Sequence, residues 1–220
     1  MSPDHGDEGA VKPRLRGVLH QGAFVASIAV APLLLLSADA TRARVAAAVF
    51  ALSMTTCFGV SALYHRVTWA PSPRRWMRRA DHAGVYLLIA GTYTPVSLLV
   101  LDEEWGRVIL IVVWSGALAA ILLKFLWVDA PKWVAAAVGL ALGWVAVVAL
   151  PQLEDRLQVS ALTLLIAGGL LYSVGAVVYA RRKPDPMPAV FGYHEVFHAL
   201  TIAAAACQYV AIAFFVIRPT

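Results

Sequence analysis

The chain of 220 residues is 60% hydrophobic and only 14% charged, with a mean hydropathy of +0.73. A soluble domain is about half apolar and a quarter charged, so this composition excludes an ordinary soluble protein and indicates an integral membrane protein. The formal charge of +5 does not indicate nucleic-acid binding, because the basic residues lie in short loops between apolar runs, a pattern that sets membrane orientation.

The N-terminal sixteen residues are polar and include Gly, Pro and acidic residues, so they predict a disordered tail over residues 1–16. No small-residue cleavage site follows the first apolar run, and we expect that run to remain as an uncleaved helix. Cys57 and Cys207 each lie within an apolar run. We interpret them as packing residues rather than as a disulfide or a metal site.

Seven apolar runs of roughly 18 residues or more are each long enough to cross a bilayer core of about 30 Å. They are predicted at Val18–Ser37, Val45–His65, His82–Leu101, Val108–Trp127, Trp133–Leu150, Val159–Ala180 and His194–Ile217. The connections are short, and backbone groups in lipid must be satisfied within the protein. The sequence therefore predicts one all-α domain over residues 17–220, a bundle of seven transmembrane helices.

The basic residues predict the orientation of this bundle. With a cytoplasmic N-terminus, 13 of the 18 Lys and Arg residues fall in cytoplasmic segments. The five on the outer side are Arg42, Arg44, Arg107, Arg156 and Arg218. This excess predicts the N-terminus inside and the C-terminus outside. The Ala, Val and Arg bias is typical of a bacterial genome rich in G and C, so we place the protein in a bacterial plasma membrane.

Small residues in the sixth predicted helix, Gly168-Gly169, Ser173 and Gly175, indicate close helix contact. Pro95 is expected to kink the third helix. Such a kink would widen a cavity for a lipid chain, and simple close packing through Gly91 is the alternative.

Two histidines one helical turn apart, His194 and His198, open the last apolar run. They share one helix face, which suits a metal. With Glu195 they match the H-E-x-x-H pattern of zinc peptidases, but membrane-embedded peptidases of that type need a later carboxylate ligand. No Asp or Glu follows His198. We therefore interpret Glu195 as an interfacial acid and expect the third ligand upstream.

The predicted orientation gives each polar residue a depth. His65 ends the second helix at the cytoplasmic face, where Asp81 and His194 begin the third and seventh helices, and Ser61 and His198 lie about 6 Å deeper. Three imidazoles with one open position make a catalytic type of zinc site, in which zinc lowers the pKa of a bound water toward about 7. The carboxylate and the hydroxyl would hold that water or orient a ligand imidazole.

Each of these residues also has an ordinary alternative role. A lone His65 at a helix end fits an interfacial position, Asp81 can form an ion pair with Arg78 three residues earlier, and Ser61 can be a packing serine. His82 lies about 100° around the helix from Asp81, so we expect Asp81 to point inward and His82 to lie at the interface.

Two further histidines receive no role from the sequence. His5 lies in the polar tail, and His20 lies near the start of the first helix.

Three motifs in order resemble the hemolysin III family, the bacterial branch of the progestin and adipoQ receptor superfamily. They are Ser61-Ala62-Leu63-Tyr64-His65, the run from Asp81-His82-Ala83-Gly84 to Gly91-Thr92-Tyr93-Thr94-Pro95, and His194-Glu195-Val196-Phe197-His198. The likeness covers nearly the whole chain after residue 16.

This resemblance implies seven helices with a cytoplasmic N-terminus and a zinc ion, Zn²⁺, bound by His65, His194 and His198. It also implies that Asp81 and Ser61 lie around the zinc-bound water. The wider superfamily looks like alkaline ceramidases, which implies hydrolysis of lipid amides. Some relatives are described as receptors, and a founding bacterial member as a haemolysin.

Three functions remain open at this point. The first is a zinc-dependent hydrolase of a membrane lipid amide or ester, in which Asp81 accepts a proton and Ser61 holds the water or the oxyanion. The second is a sensor of a lipid or small ligand with a structural zinc. The third is a cytolytic pore, which the absence of a lumen-facing row of charges opposes. We favour the hydrolase, with membrane lipids as its partners and no indicated nucleic-acid or protein partner.

Overall fold

Long apolar runs form helices throughout the computed structural model, which describes residues 12–218. The helices are α1 (Val18–Leu36), α2 (Thr41–Arg66), α3 (Pro71–Leu99), α4 (Glu103–Leu126), α5 (Lys132–Gly143), α6 (Leu150–Arg156), α7 (Val159–Arg181) and α8 (Tyr193–Ala211). A 3₁₀ turn, Val145–Ala149, joins α5 to α6, and a π-helical turn, Ile212–Val216, follows α8. Within these described residues there is no β-sheet, only an isolated bridge between Met187 and Phe191.

Within residues 12–218, six segments are long and apolar enough to cross a membrane. They are α1, α2, α4, the α5–α6 segment, α7, and α8 with its π turn. Large apolar side chains such as Val25, Leu33 and Leu126 are exposed on these segments, as expected of surfaces that face lipid. The protein is an all-α integral membrane bundle, as predicted.

The seventh long helix, α3, is more polar than the other six. It begins at Pro71, well before the predicted start at His82, because proline is favoured in the first helical turn. Most side chains on its C-terminal half are buried, including Tyr93, Pro95 and Ser97. Since α3 packs against α2, α4 and α5, it needs less apolar surface than helices that face lipid.

Close packing joins the helices that carry the candidate site. A Cβ atom at Gly91 of α3 would lie 1.9 Å from the Ser53 Oγ of α2, and one at Gly168 of α7 would lie 2.5 Å from the Gln208 Nε2 of α8. Neither glycine can be replaced without moving its neighbour. The predicted close contact through Gly168 is confirmed, and at Gly91 the structure shows the close packing that the sequence left as an alternative.

The fifth span is interrupted, whereas the sequence predicted one continuous helix over Trp133–Leu150. Pro151 lies in the first turn of α6 and has no N–H to continue the helical hydrogen bonds. The Tyr93 hydroxyl of α3 donates to the Gly143 carbonyl and accepts from the Ala146 N–H, both at 2.8 Å. These bonds satisfy backbone groups at the break, as groups at membrane depth require.

The N-terminal segment joins the loop between α7 and α8. The Arg14 N–H donates to the Ala189 carbonyl at 3.0 Å, and the Leu15 N–H donates to the Val190 carbonyl at 3.1 Å. The predicted disordered tail spans residues 1–16, of which residues 1–11, including His5, lie outside the described part of the chain. Residues 12–16 adopt a defined conformation over the end of the bundle predicted to be cytoplasmic.

Candidate metal centre

Three histidines from two helices meet at the predicted cytoplasmic end of the bundle. His65 lies in the last turn of α2, and His194 and His198 lie in the first two turns of α8. Their ligand atoms all lie within 4.8 Å of one another, and the Nε2 atoms of His65 and His194 are 3.1 Å apart. His65 and His198 are buried. This three-histidine cluster brings together the ligands that the sequence predicted.

The cluster fits a tetrahedral metal such as zinc. Zinc–nitrogen bonds of about 2.0–2.1 Å place two ligand nitrogens about 3.3 Å apart, close to the 3.1 Å between His65 and His194. The Nδ1 atom of His198 is buried and has no hydrogen-bond partner among the described residues. Three imidazoles of this kind could hold a metal ion and leave a fourth position open.

Asp81 and Ser61 lie beside the cluster. The Asp81 Oδ2 atom is 3.8 Å from the His65 Nε2, and only 12% of the Asp81 side chain is exposed. The buried Ser61 hydroxyl, one turn before His65 on α2, is placed to donate a hydrogen bond to Asp81. The structure thus brings together the five residues that the sequence singled out.

Two alternatives considered for these residues are answered by the geometry. Arg78 forms an ion pair with Asp129 and donates to the Val128 carbonyl at 2.8 Å; within the described residues it is not paired with Asp81. His82 lines the same cavity as Asp81, so its predicted interfacial position is wrong. Asp81 and His82 both fit at the cavity wall because a residue need not point squarely at the axis to line it.

Glu195 has a structural role and does not point at the cluster as a peptidase base would. Its side chain is 1% exposed, accepts from the Gly192 N–H at 2.8 Å, and lies 2.5 Å from the Arg16 guanidinium. The hydrogen bond from the Gly192 N–H to Glu195 caps the N-terminus of α8. The predicted interfacial position of Glu195 is therefore wrong, because its side chain is buried and paired with Arg16.

His20 on α1 is a fourth histidine at the site, and the sequence gave it no role. It is 3% exposed, and its ring is stacked on His198 with a centroid distance of 3.7 Å and an interplanar angle of 13°. The only sequence signal was an imidazole in an apolar helix, which is costly in a membrane and marks function more often than accident.

A cavity of about 250 Å³ extends from this site into the membrane part of the bundle. Its polar end holds His20, Ser61, Asp81, His194 and His198. Its apolar part is lined by α3, the α5–α6 segment, α7 and α8, with residues such as Val85, Ile89, Leu140, Leu162 and Ile166. The cavity suits a ligand that has one polar end and an apolar chain.

Comparisons with known proteins agree with this architecture. The model of the Haemolysin-III related family matches residues 9–209. The chain is 31% identical over 170 residues to a hemolysin-3 homolog of Bacillus subtilis (strain 168), covering 77% of this chain and 76% of that protein. It is also 31% identical over 175 residues to the hemolysin-3 of Bacillus cereus, covering 80% of this chain and 77% of that protein.

Proposed function

The chain belongs to the haemolysin III family of integral membrane proteins, and from that premise we propose that it is a zinc-dependent hydrolase of a membrane lipid amide or ester. One observation carries the proposal. A buried carboxylate, Asp81, lies beside three imidazoles at the polar end of an apolar cavity. A metal that only joins helices does not need an acid and a substrate-sized cavity next to its open position.

Each residue then has a defined task. When bound, zinc supplies a Lewis acid that polarises the scissile carbonyl and acidifies a water molecule. Asp81 accepts the proton of the attacking water, as a general base within reach of the cluster. Ser61 donates to Asp81 and so helps to hold the carboxylate that takes the proton.

The cavity supplies binding and orientation. Its apolar walls on α3, α7 and α8 hold the chain of the lipid, and removal of that chain from water contributes about 0.8 kcal/mol per buried CH₂. Fixing the chain places the carbonyl at the polar end, where an oriented reactant gains rate from proximity. The predicted orientation gives access from the cytoplasmic leaflet of the bacterial plasma membrane.

A zinc-stabilised sensor of a lipid is the second candidate, favoured by a separate observation. The cluster connects α2 to α8 across 129 positions of the chain, with the His65 and His194 nitrogens 3.1 Å apart. A metal there would hold the two helices together whether or not a reaction occurs. The names of the relatives refer to haemolysis, but a lytic pore needs a polar lumen, and this cavity is mainly apolar.

The test is Asp81→Asn in purified, zinc-loaded protein. The substitution leaves the three imidazoles in place, so zinc content is expected to persist while fatty-acid release from ceramides, other N-acyl lipids and ester lipids falls about 10²- to 10⁴-fold. Asp129→Asn is the matched control, because Asp129 is an exposed acid that pairs with Arg78.

Two outcomes would contradict the hydrolase. A zinc-loaded wild-type protein that releases nothing across a broad lipid panel would favour the sensor. Equal turnover by the wild type and Asp81→Asn would remove Asp81 from the reaction.

A further inference from the structure

We propose that His20 is a substrate-contacting residue, whose ring N–H donates a hydrogen bond to the carbonyl oxygen of the lipid bound at the three-histidine cluster. The inference rests on the proposed function and adds to it a contact from α1. It follows from a buried imidazole that lines the cavity, contacts a cluster histidine, and has no partner of its own among the described residues.

The side chain of His20 is enclosed but unsatisfied. Both its Nδ1 and Nε2 atoms are buried without a hydrogen-bond partner in the described chain. Its ring contacts are with Phe58, at a centroid distance of 5.2 Å, and with His198. A neutral imidazole always carries one N–H donor and one acceptor nitrogen, and burying both without partners costs free energy. A cavity ligand with a polar group would supply the missing partner.

Several other polar side chains of the cavity are satisfied by the protein itself. The Tyr86 hydroxyl donates to the Ala135 carbonyl at 3.4 Å, the Tyr93 hydroxyl donates to Gly143, and the Thr201 hydroxyl donates to the Phe197 carbonyl at 2.9 Å. The Tyr172 hydroxyl and the His82 Nδ1 are also buried without a partner among the described residues. Tyr172 lies about two helical turns along α7 from Tyr179, whose ring is the one on α7 that lies near His194, at a centroid distance of 6.1 Å. His82 has no ring contact with a cluster histidine in the described part of the chain. His20 is therefore the unpartnered group that contacts a candidate metal ligand without belonging to the three.

The stacking geometry separates His20 from the metal ligands. An imidazole nitrogen binds a metal in the plane of its ring, and the rings of His20 and His198 lie nearly parallel at 3.7 Å. The nitrogen lone pairs of two nearly parallel, stacked rings lie in separate planes, so they cannot meet at one metal ion. His20 is accordingly placed next to the cluster, where it can reach a group bound there.

Contacts of the preceding residues fix the position of His20. Arg16 is bound to Glu195 of α8 at 2.5 Å. Gly17 has φ +81°, and a Cβ there would lie 2.6 Å from the Cβ of His65. The start of α1 is thus held against both ligand-bearing helices. A donor fixed in this way needs little reorganisation when charge develops on its acceptor, which is the property of an oxyanion hole.

The chemical step balances with His20 neutral throughout. The water oxygen bonds to the carbonyl carbon, its proton passes to Asp81, and the π electrons of the carbonyl move to the oxygen that accepts the His20 N–H. The carbonyl then re-forms, the bond to the leaving nitrogen or oxygen breaks, and the leaving group takes the proton back from Asp81.

The experiment compares His20→Phe, which keeps a stacking ring but removes both nitrogens, with His20→Gln, which supplies a donor without the ring. We expect His20→Phe to retain zinc and the visible absorption spectrum of the cobalt-substituted protein. We expect its lipid turnover to fall about 10²- to 10³-fold, the effect of losing one oxyanion donor. His20→Gln should recover part of that loss. His82→Phe measures the general effect of removing an imidazole from the cavity wall.

A binding measurement makes the test independent of turnover. Octadecanoic acid, whose carboxylate oxygens resemble the proposed acceptor, should raise the melting temperature of the zinc-loaded wild type more than that of His20→Phe. Equal turnover and equal fatty-acid stabilisation in both proteins would overturn the role of His20 and leave the hydrolase intact. If the wild type cleaves no lipid, the proposed hydrolase function is wrong, and the fatty-acid comparison alone tests the hydrogen bond from His20 to the ligand. A changed cobalt spectrum in His20→Phe would make His20 a metal ligand and overturn the inference.

Discussion

The guanidinium of Arg16 lies 2.5 Å from the carboxylate of Glu195, and the two residues are 179 positions apart in the chain. Only 17% of the Arg16 side chain and 1% of the Glu195 side chain is exposed. The pair joins the segment before α1 to the first turn of α8. It thereby positions His20 and His198 for their ring contact.

Glu195→Gln is expected to lower stability without removing the metal. Gln can still cap the N-terminus of α8, but the Arg16 charge loses its partner. Removal of one member of a buried pair costs about 3–5 kcal/mol, and we expect the low end because Arg16 keeps some contact with solvent. Thermal unfolding of the purified protein measures the loss, and zinc content per folded molecule should remain near wild type.

Glu103→Gln is the matched control for this prediction. Glu103 pairs with Arg107 at 3.4 Å on the surface of α4, with side chains 85% and 66% exposed, and such pairs contribute a few tenths of a kcal/mol. Loss of all turnover in Glu195→Gln at unchanged stability and zinc content would revive the peptidase interpretation of H-E-x-x-H.

Alanine substitution of His65, His194 or His198 is expected to lower zinc from one ion per chain to a small fraction. Each removes one of three imidazole ligands whose atoms lie within 4.8 Å, and a site with two remaining ligands binds zinc much more weakly. Elemental analysis of the purified protein measures the content. His82→Ala, which removes an imidazole outside the cluster, should retain zinc. Full occupancy in His65→Ala would contradict the three-ligand site.

Gly91→Ala is expected to destabilise the bundle by about 1–3 kcal/mol, the range for overpacking a core. The added methyl would overlap Ser53 on α2, since its carbon lies 1.9 Å from Oγ and 2.5 Å from Cβ. Gly22→Ala is the control, because no atom lies within 4 Å of the new carbon and alanine favours the helix by up to about 1 kcal/mol. Equal melting temperatures for Gly91→Ala and Gly22→Ala would contradict this prediction. That result would show that α2 and α3 move apart at Gly91 and Ser53 with little loss of stability.

Reporter fusions at the two ends of the chain should fall on opposite sides of the membrane. The expectation follows from seven spans and from the excess of Lys and Arg on one side. A periplasm-active reporter is expected to work at the C-terminus and to fail at the N-terminus, with a cytoplasm-active reporter giving the reverse pattern. Both ends on the same side would exclude an odd number of spans.

The sequence predicted the three-histidine cluster because depth in a membrane can be counted along each helix. His65, Asp81 and His194 each begin or end an apolar run at one face, so orientation alone places them at a similar depth. His20 was missed because depth does not tell which helices are neighbours. The stacking of His20 on His198 depends on contact between α1 and α8, which no local pattern encodes.

The interrupted fifth span was missed for a related reason. Its sequence is apolar throughout the predicted helix, and a proline near the end of a run predicts a stop without showing where the freed backbone groups find partners. Those partners come from Tyr93 on α3. A distant hydroxyl thus fixes the irregular turn, and the information for it is not local.

The placement of the three-histidine cluster on α2 and α8 has a consequence for biogenesis. His194 and His198 lie on α8, which leaves the ribosome after α1–α7, so no insertion intermediate that lacks α8 contains the complete cluster. During synthesis His65 and His20 are already in the membrane with only part of their final contacts. The cluster is complete only after α8 has entered the membrane, and a protein truncated before residue 194 cannot acquire it.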